Sequence, residues 1–151
     1  KVAVLTNAGG PGVLTADYCR RVGLPLAEIS QETVEKLEKS DVMHEAFSRS
    51  NPLDVVGDAS SARYEAALEA LLSQEETGGV IVIQTMQIMT EAEQNAKIVS
   101  KLSKKYAKKA VVACFMGGAL TAPSVKILEQ NRVPNYKEPR QAVQALKSLK
   151  K

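Results

Sequence analysis

At 151 residues, 44% hydrophobic and without tryptophan, the chain has the length of one domain and must build its core from Val, Ile, Leu and Ala. The net charge of +3 is mild, and the densest basic run (Lys101, Lys104, Lys105, Lys108 and Lys109 around Tyr106) falls where a predicted helix ends and cations complement its dipole, which argues against a nucleic-acid partner. No apolar run approaches a membrane span and no signal peptide is legible, so no membrane role is expected. Cys19 and Cys114 stand in different elements without metal-ligand spacing; no metal site is expected, and a reduced, cytoplasmic protein is. The chain opens at Lys1 directly before a strand, which predicts a domain excised from a longer protein.

In chain order, Val2 to Thr6 predicts a strand, and Pro11 or Gly12 to Val22 a helix stopped by Gly23. Leu26 to Ile29 predicts a short strand, and Ser30 caps a helix from Glu32 to about Lys39. The segment to Ser50 is ambiguous, its run 41–49 helix-permissive with Asp41 available as a cap, and Leu53 to Val56 follows as a strand. Ser60 or Ser61 opens a helix to Leu72. Gly78-Gly79 breaks it, and Val80 to Gln84 reads as a central strand covered on both faces. Thr90 is expected to cap a helix through Tyr106; Ala110 to Phe115 is a strand; Ala122 to Gln130 is a helix. Val133 to Asn135 predicts an edge strand, and Pro139 starts a last helix with Ala142, Val143, Leu146 and Leu149 at a period of 3.6. The expected fold is α/β: a doubly wound, mainly parallel sheet of five or six strands in a three-layer, flavodoxin-like α/β/α arrangement over residues 1–151.

Such sheets bind ligands beyond the carboxyl ends of their strands. Four segments converge there: 6–12, 51–59, 84–90 and 115–119. In the first, Asn7, Ala8, Gly9, Gly10 and Gly12 join a strand to a helix. Glycines permit close backbone approach, and a helix start offers free N–H groups and a positive dipole end, a seat for a phosphoryl anion. The Lys-Ser/Thr of a Walker loop and the spacing of a dinucleotide fingerprint are both lacking, and a plain turn whose glycines serve packing stays open as the alternative. Asn51, Asp54, Gly57, Asp58, Thr85, Gln87, Gly117 and Gly118 are the remaining rim candidates. Asp54 and Asp58 cannot hold phosphate; their expected work is to cap loops and fix Gly57.

The motif Val4-Leu5-Thr6-Asn7-Ala8-Gly9-Gly10-Pro11-Gly12-Val13-Leu14 resembles the opening of the last flavodoxin-like domain of NDP-forming acyl-CoA synthetases. These are relatives of succinyl-CoA synthetase and include ADP-forming acetyl-CoA synthetases. Asn51-Pro52-Leu53-Asp54-Val55-Val56-Gly57-Asp58, Gln84-Thr85-Met86-Gln87, Phe115-Met116-Gly117-Gly118 and Val133-Pro134-Asn135-Tyr136 are similar to its later signatures. The resemblance implies the reversible conversion of acyl-CoA, phosphate and a nucleoside diphosphate into acid, CoA and nucleoside triphosphate. A phosphohistidine on a neighbouring domain carries the phosphoryl group, and the helix after Asn7 is one of two whose starts face it. It implies the phosphohistidine and ATP-grasp domains as partners. CoA and ATP/ADP with Mg would be used by the parent enzyme, and no cofactor would be bound by this domain alone. The only histidine, His44, lies in a segment unlike the family and does not match the carrier, so the chain alone is expected to be inactive.

Residues 41–49 depart from the Leu-Pro-Pro turn usual there, and Met86 stands where proline is usual. A second reading therefore takes the chain as an engineered scaffold. Its site would pair His44 with Cys114 or Cys19 as base and nucleophile, or join His44 and either Asp41 or Glu45 with Asp54 on a metal. In a third reading Met43, Phe47, Met86, Ile88 and Met89 form an apolar patch for a partner or for self-association. For Cys114 and Cys19 the plainer expectation is a small buried hydrophobe.

Overall fold

β1 (Val2–Thr6) and β3 (Gly79–Gln84) are buried along their whole length, and the pattern of apolar residues on successive positions leaves them no face for water. They form the centre of a four-stranded, all-parallel sheet of order β2-β1-β3-β4, with β2 (Leu53–Asp54) and β4 (Ala110–Phe115) at its edges. The register sets Val4 against Ile81, Leu5 against Leu53 and Ile83 against Cys114. A computed structural model of the chain describes residues 1–149.

Alternation along the strands separates two apolar layers. Val2, Val4, Ile81, Ile83, Val112 and Cys114 point to one face, where α1 (Gly9–Arg21) and α6 (Pro139–Leu149) bring Cys19, Ala142, Val143 and Leu146. Ala3, Leu5, Val80, Val82, Ala113 and Phe115 point to the other. There α2 (Gln31–Lys39), α3 (Ser61–Ser73), α4 (Ala92–Lys105) and α5 (Ala122–Gln130) contribute Leu37, Tyr64, Leu68, Val99, Leu102 and Leu128. This is the three-layer α/β/α arrangement expected.

Ser30 and Ser60 cap α2 and α3 through their hydroxyls, and Gly23, at φ 73, ends α1. The basic run is largely structural. Lys101 and Lys105 pair with Glu65 and Glu69 on α3, Tyr106 donates to Glu69, and Lys109 donates to the Leu72 carbonyl at the end of α3 (2.6 Å).

Several expectations need correction. The sheet has four strands, not five or six. Leu26 and Asn135 each make only a single bridge, to Val2 and Ala113. Beyond Leu26 the flank of β1 is taken by a side chain: Asn51 accepts from Val4 N–H (2.9 Å) and donates to the Val2 and Ala27 carbonyls (2.9 and 2.8 Å). Asn51 is therefore a strand substitute, not a rim residue. At Val133–Asn135, Pro134 has no N–H to extend a ladder. β2 stops at Asp54 because Val56 turns left-handed, at φ 75. Residues 40–52 form no helix; Asp41, the expected cap, is at φ 64, and buried Phe47 anchors an irregular path. Thr90 caps nothing: its hydroxyl accepts from Gln87 N–H, while Glu91 sits at the head of α4 and spends its carboxylate on Ser61 N–H of α3.

Candidate functional site

The carboxyl ends of β1, β2, β3 and β4 open on one rim, built from the loops and helix starts that follow them. At its centre Asn7 is 2% exposed, and its side chain ties the ends of β1 and β3 together. Nδ2 donates to the Thr85 carbonyl (2.9 Å), and Oδ1 accepts from Thr85 N–H (2.8 Å) and Thr85 Oγ1 (3.1 Å). Asn7 thus positions the start of α1, and all of its buried amide but one Nδ2 hydrogen is committed to Thr85. Ala8 N–H is also occupied, by Thr6 Oγ1 at 3.0 Å.

The open donors are Gly9 and Gly10. Both are exposed and form the first turn of α1, where no intrahelical acceptor exists, and no side chain caps that end. Gly10 is surrounded by open space. Gly12 does a different job: a Cβ there would stand 2.8 Å from Thr6 Cγ2 and 3.4 Å from Pro52 Cβ, so this glycine lets α1 lie against β1 and the start of β2. The packing reading of the Gly-rich turn therefore holds at Gly12, while Gly9 and Gly10 are left with open donors.

Asp54 Oδ1 accepts from Val56 N–H (2.9 Å), holding the left-handed turn at Val56 and not Gly57 itself. Its other oxygen lies 3.4 Å from where a Gly9 Cβ would be, placing a carboxylate beside the open amides. Asp58 pairs with Arg63, whose guanidinium also reaches the Val42 and Val55 carbonyls. The hydrogen bond from Arg63 holds the Asp58 carboxyl below its ordinary range. Gly57 and Gln87 flank the rim, with Gln87 Nε2 donating to Thr85 Oγ1. Gly117, at φ 142, and Gly118, at φ 57, shape the loop after β4, beside a cleft of about 570 Å³ floored by Phe115 and Val125 and flanked by Lys126 and Lys137.

His44 and Cys114 do not meet. Met43 and Phe47, on either side of His44, pack into the layer of α2 to α5, whereas Cys114 points into the layer of α1 and α6. His44 Nδ1 accepts from Ala46 N–H (2.9 Å), a turn contact. Cys114 is fully buried, and burial pushes its thiol up to about 12; burial pushes Cys19 to about 11. Neither is a thiolate nucleophile, and no group of three His, Cys, Asp or Glu among the described residues is disposed to hold a metal. The apolar patch also differs from expectation. Phe47 is buried and Met43 packs on the core, while Ile88 and Met89 are exposed along with Val13, Leu14 and Leu120.

The Ligase-CoA domain family matches residues 2–149. The chain belongs to that family. Over 148 residues this Ligase-CoA domain is 36% identical to the ADP-forming acetate–CoA ligase I of Archaeoglobus fulgidus, covering 98% of this chain and 20% of the relative. It is 32% identical to the alpha subunit of the ADP-forming acetate–CoA ligase II of Pyrococcus furiosus, covering 99% and 33%. A crystal structure from Pyrococcus horikoshii OT3 superposes with a TM-score of 0.89 at 31% identity, over 96% of this chain and 34% of that one. An apo acetyl-coenzyme A synthetase from Ca. Korarchaeum cryptofilum gives a TM-score of 0.87 at 26% identity, over 96% and 31%. The Ligase-CoA domain thus spans a fifth to a third of the curated relatives it matches. No helix among the described residues is long and apolar enough to cross a membrane.

Proposed function

We propose that this Ligase-CoA domain serves an NDP-forming acyl-CoA synthetase by presenting the start of α1 to a phosphoryl group carried on a histidine of another domain. The observation that carries the reading is the pair of exposed, acceptor-free N–H groups at Gly9 and Gly10, at the rim of a chain that belongs to this family. The overall reaction would convert acyl-CoA, phosphate and NDP into acid, CoA and NTP, with CoA and Mg-bound nucleotide held by the sister domains. This chain's own part is electrostatic and positional. Asn7 and Thr85 fix the direction of α1, Gly12 seats the helix on the sheet, and the two amides meet the anion.

One helix end contributes only about 0.3–2 kcal/mol to holding an anion, so the seat is shared with a second helix start on the sister domain. The rim, with Ile88, Met89 and Leu120 exposed around it, is the face the sister domains would cover. Alone, the domain would be inactive, because the histidine carrier and the CoA and nucleotide sites would belong to sister domains, while His44 Nδ1 is taken by Ala46 N–H in a turn.

Titrating inorganic phosphate against the amide spectrum tests the seat: shifts should centre on Gly9 and Gly10, and silence there would end the reading. Incubating the chain with acetyl-CoA, phosphate, ADP and Mg should give no ATP. Sustained ATP formation would show that the histidine carrier is not needed from elsewhere.

A further inference from the structure

Gln84, the last residue of β3, is fully buried, yet its carboxamide is unevenly satisfied. Oε1 accepts from Asn95 Nδ2 at 2.7 Å, a strong bond; Nε2 has only the Met86 sulfur, at 3.8 Å. A thioether is a weak acceptor, so a buried donor is left nearly unpaid for its lost water. Met86 itself is half-buried, within reach of solvent. Its stem lies flat on the loop after β4: a Cβ on Gly117 would come within 2.6 Å of Met86 Cγ. The side chain thus runs between the Gly117 backbone, against which its Cγ packs, and a buried N–H donor that its sulfur meets.

We propose that Met86 is a peroxide-reactive modification site whose sulfoxide oxygen supplies Gln84 Nε2 with the acceptor it lacks. A sulfur lone pair attacks one oxygen of hydrogen peroxide, the S–O bond forms as the O–O bond breaks, and the leaving oxygen departs as water after proton transfer. Sulfur loses two electrons and the peroxide gains them. The new oxygen accepts a hydrogen bond far better than sulfur does and pins the loop after β3, which carries Thr85 and Gln87, to the end of its own strand.

Sulfoxide sulfur is chiral, and that makes the inference testable on the chain as it stands. For a given side-chain conformation only one epimer aims its oxygen at Gln84; the other turns it away from the buried amide. Met89, half-exposed three residues on, has no such constraint and is the internal control. Oxidise the folded chain with hydrogen peroxide, digest it, and treat the fragments with each of the two epimer-specific methionine sulfoxide reductases. Met86 sulfoxide should be reduced by one enzyme in an excess of about fivefold, the ratio that one net hydrogen bond formed during oxygen transfer supplies, while Met89 sulfoxide divides between both. Gln84→Leu should bring Met86 toward the Met89 ratio. An even split at Met86 in the unsubstituted chain, or a Met86 left unoxidised when Met89 is fully converted, would overturn the proposal whether or not Gln84→Leu folds.

Discussion

Replacing Asn51 with alanine removes a side chain that stands in for a missing strand. Its amide meets Val4 N–H, the Val2 carbonyl and the Ala27 carbonyl within 2.8–2.9 Å, and all three residues are at most 2% exposed. Val2 O would keep a partner, since Ala27 N–H also donates to it at 2.8 Å, but Val4 N–H and Ala27 O would be orphaned. Each stranded buried group costs about 1–3 kcal/mol, so Asn51→Ala should lose about 2–6 kcal/mol from a total of roughly 5–15. Asn51 is only half-buried, and water entering after truncation brings the loss toward the lower end. Asn51→Asp should do worse than alanine: it keeps an acceptor for Val4 N–H but turns a carboxylate toward two carbonyls. Urea unfolding followed by circular dichroism measures both, and the midpoints should fall in the order wild type, Ala, Asp. A loss below about 1 kcal/mol for Asn51→Ala at unchanged slope would refute the idea that this side chain completes the edge of β1.

Two further predictions concern packing and protonation. Gly12→Ala should destabilise, because overpacking against Thr6 and Pro52 costs about 1–3 kcal/mol while helix propensity returns only about 1; Gly10→Ala, facing open space, should be neutral or mildly stabilising. Equal shifts in the two urea midpoints would contradict this division of labour. The thiols give a pH dependence of defined sign. The folded values, about 11 for Cys19 and about 12 for Cys114, lie above the unfolded value of about 8.5, so their contribution to stability is complete below that pH and is lost as pH rises through the folded values. A thiol reagent at pH 8 should leave the folded chain untouched and label both cysteines in urea; rapid labelling of folded protein would contradict their burial.

The sequence was most readable where a segment's own pattern decides its structure. β4 falls on Ala110–Phe115 and α5 on Ala122–Gln130, as their apolar runs and flanking breakers predict, and serines cap α2 and α3 as expected. Misreadings came where a partner distant in sequence decides. Leu26 to Ile29 has strand chemistry, but Asn51 takes the place its backbone would have filled. Thr90 is a good cap that lost its role to a bond with Gln87, and Asn7 reads as a ligand residue until Thr85, from the far side of the β1–β3 pair, claims its amide oxygen and one of its amide hydrogens. The glycines were legible as a group but not individually. Whether a Cβ meets Thr6 or empty space depends on how α1 leans on the sheet, which the turn itself does not encode.

The carboxylate beside the open amides bears on how the proposed seat works. Asp54 is placed to repel any anion at Gly9 and Gly10, since its free oxygen lies 3.4 Å from the would-be Gly9 Cβ. At 4 Å and the dielectric of water, two unit charges interact by about 1 kcal/mol, comparable with what a single exposed helix end contributes in the opposite sense. The opposing charge would make the proposed seat on the isolated domain a weak anion site without abolishing it. Asp54→Asn removes the opposing charge and keeps an oxygen for Val56 N–H, so the turn after β2 should survive. Relief of about 1 kcal/mol corresponds to about fivefold tighter phosphate, read from amide shifts at Gly9 and Gly10, and the gain should shrink with added salt because this pair faces solvent. Unchanged affinity in Asp54→Asn, with the fold intact, would mean that phosphate is held somewhere other than the start of α1.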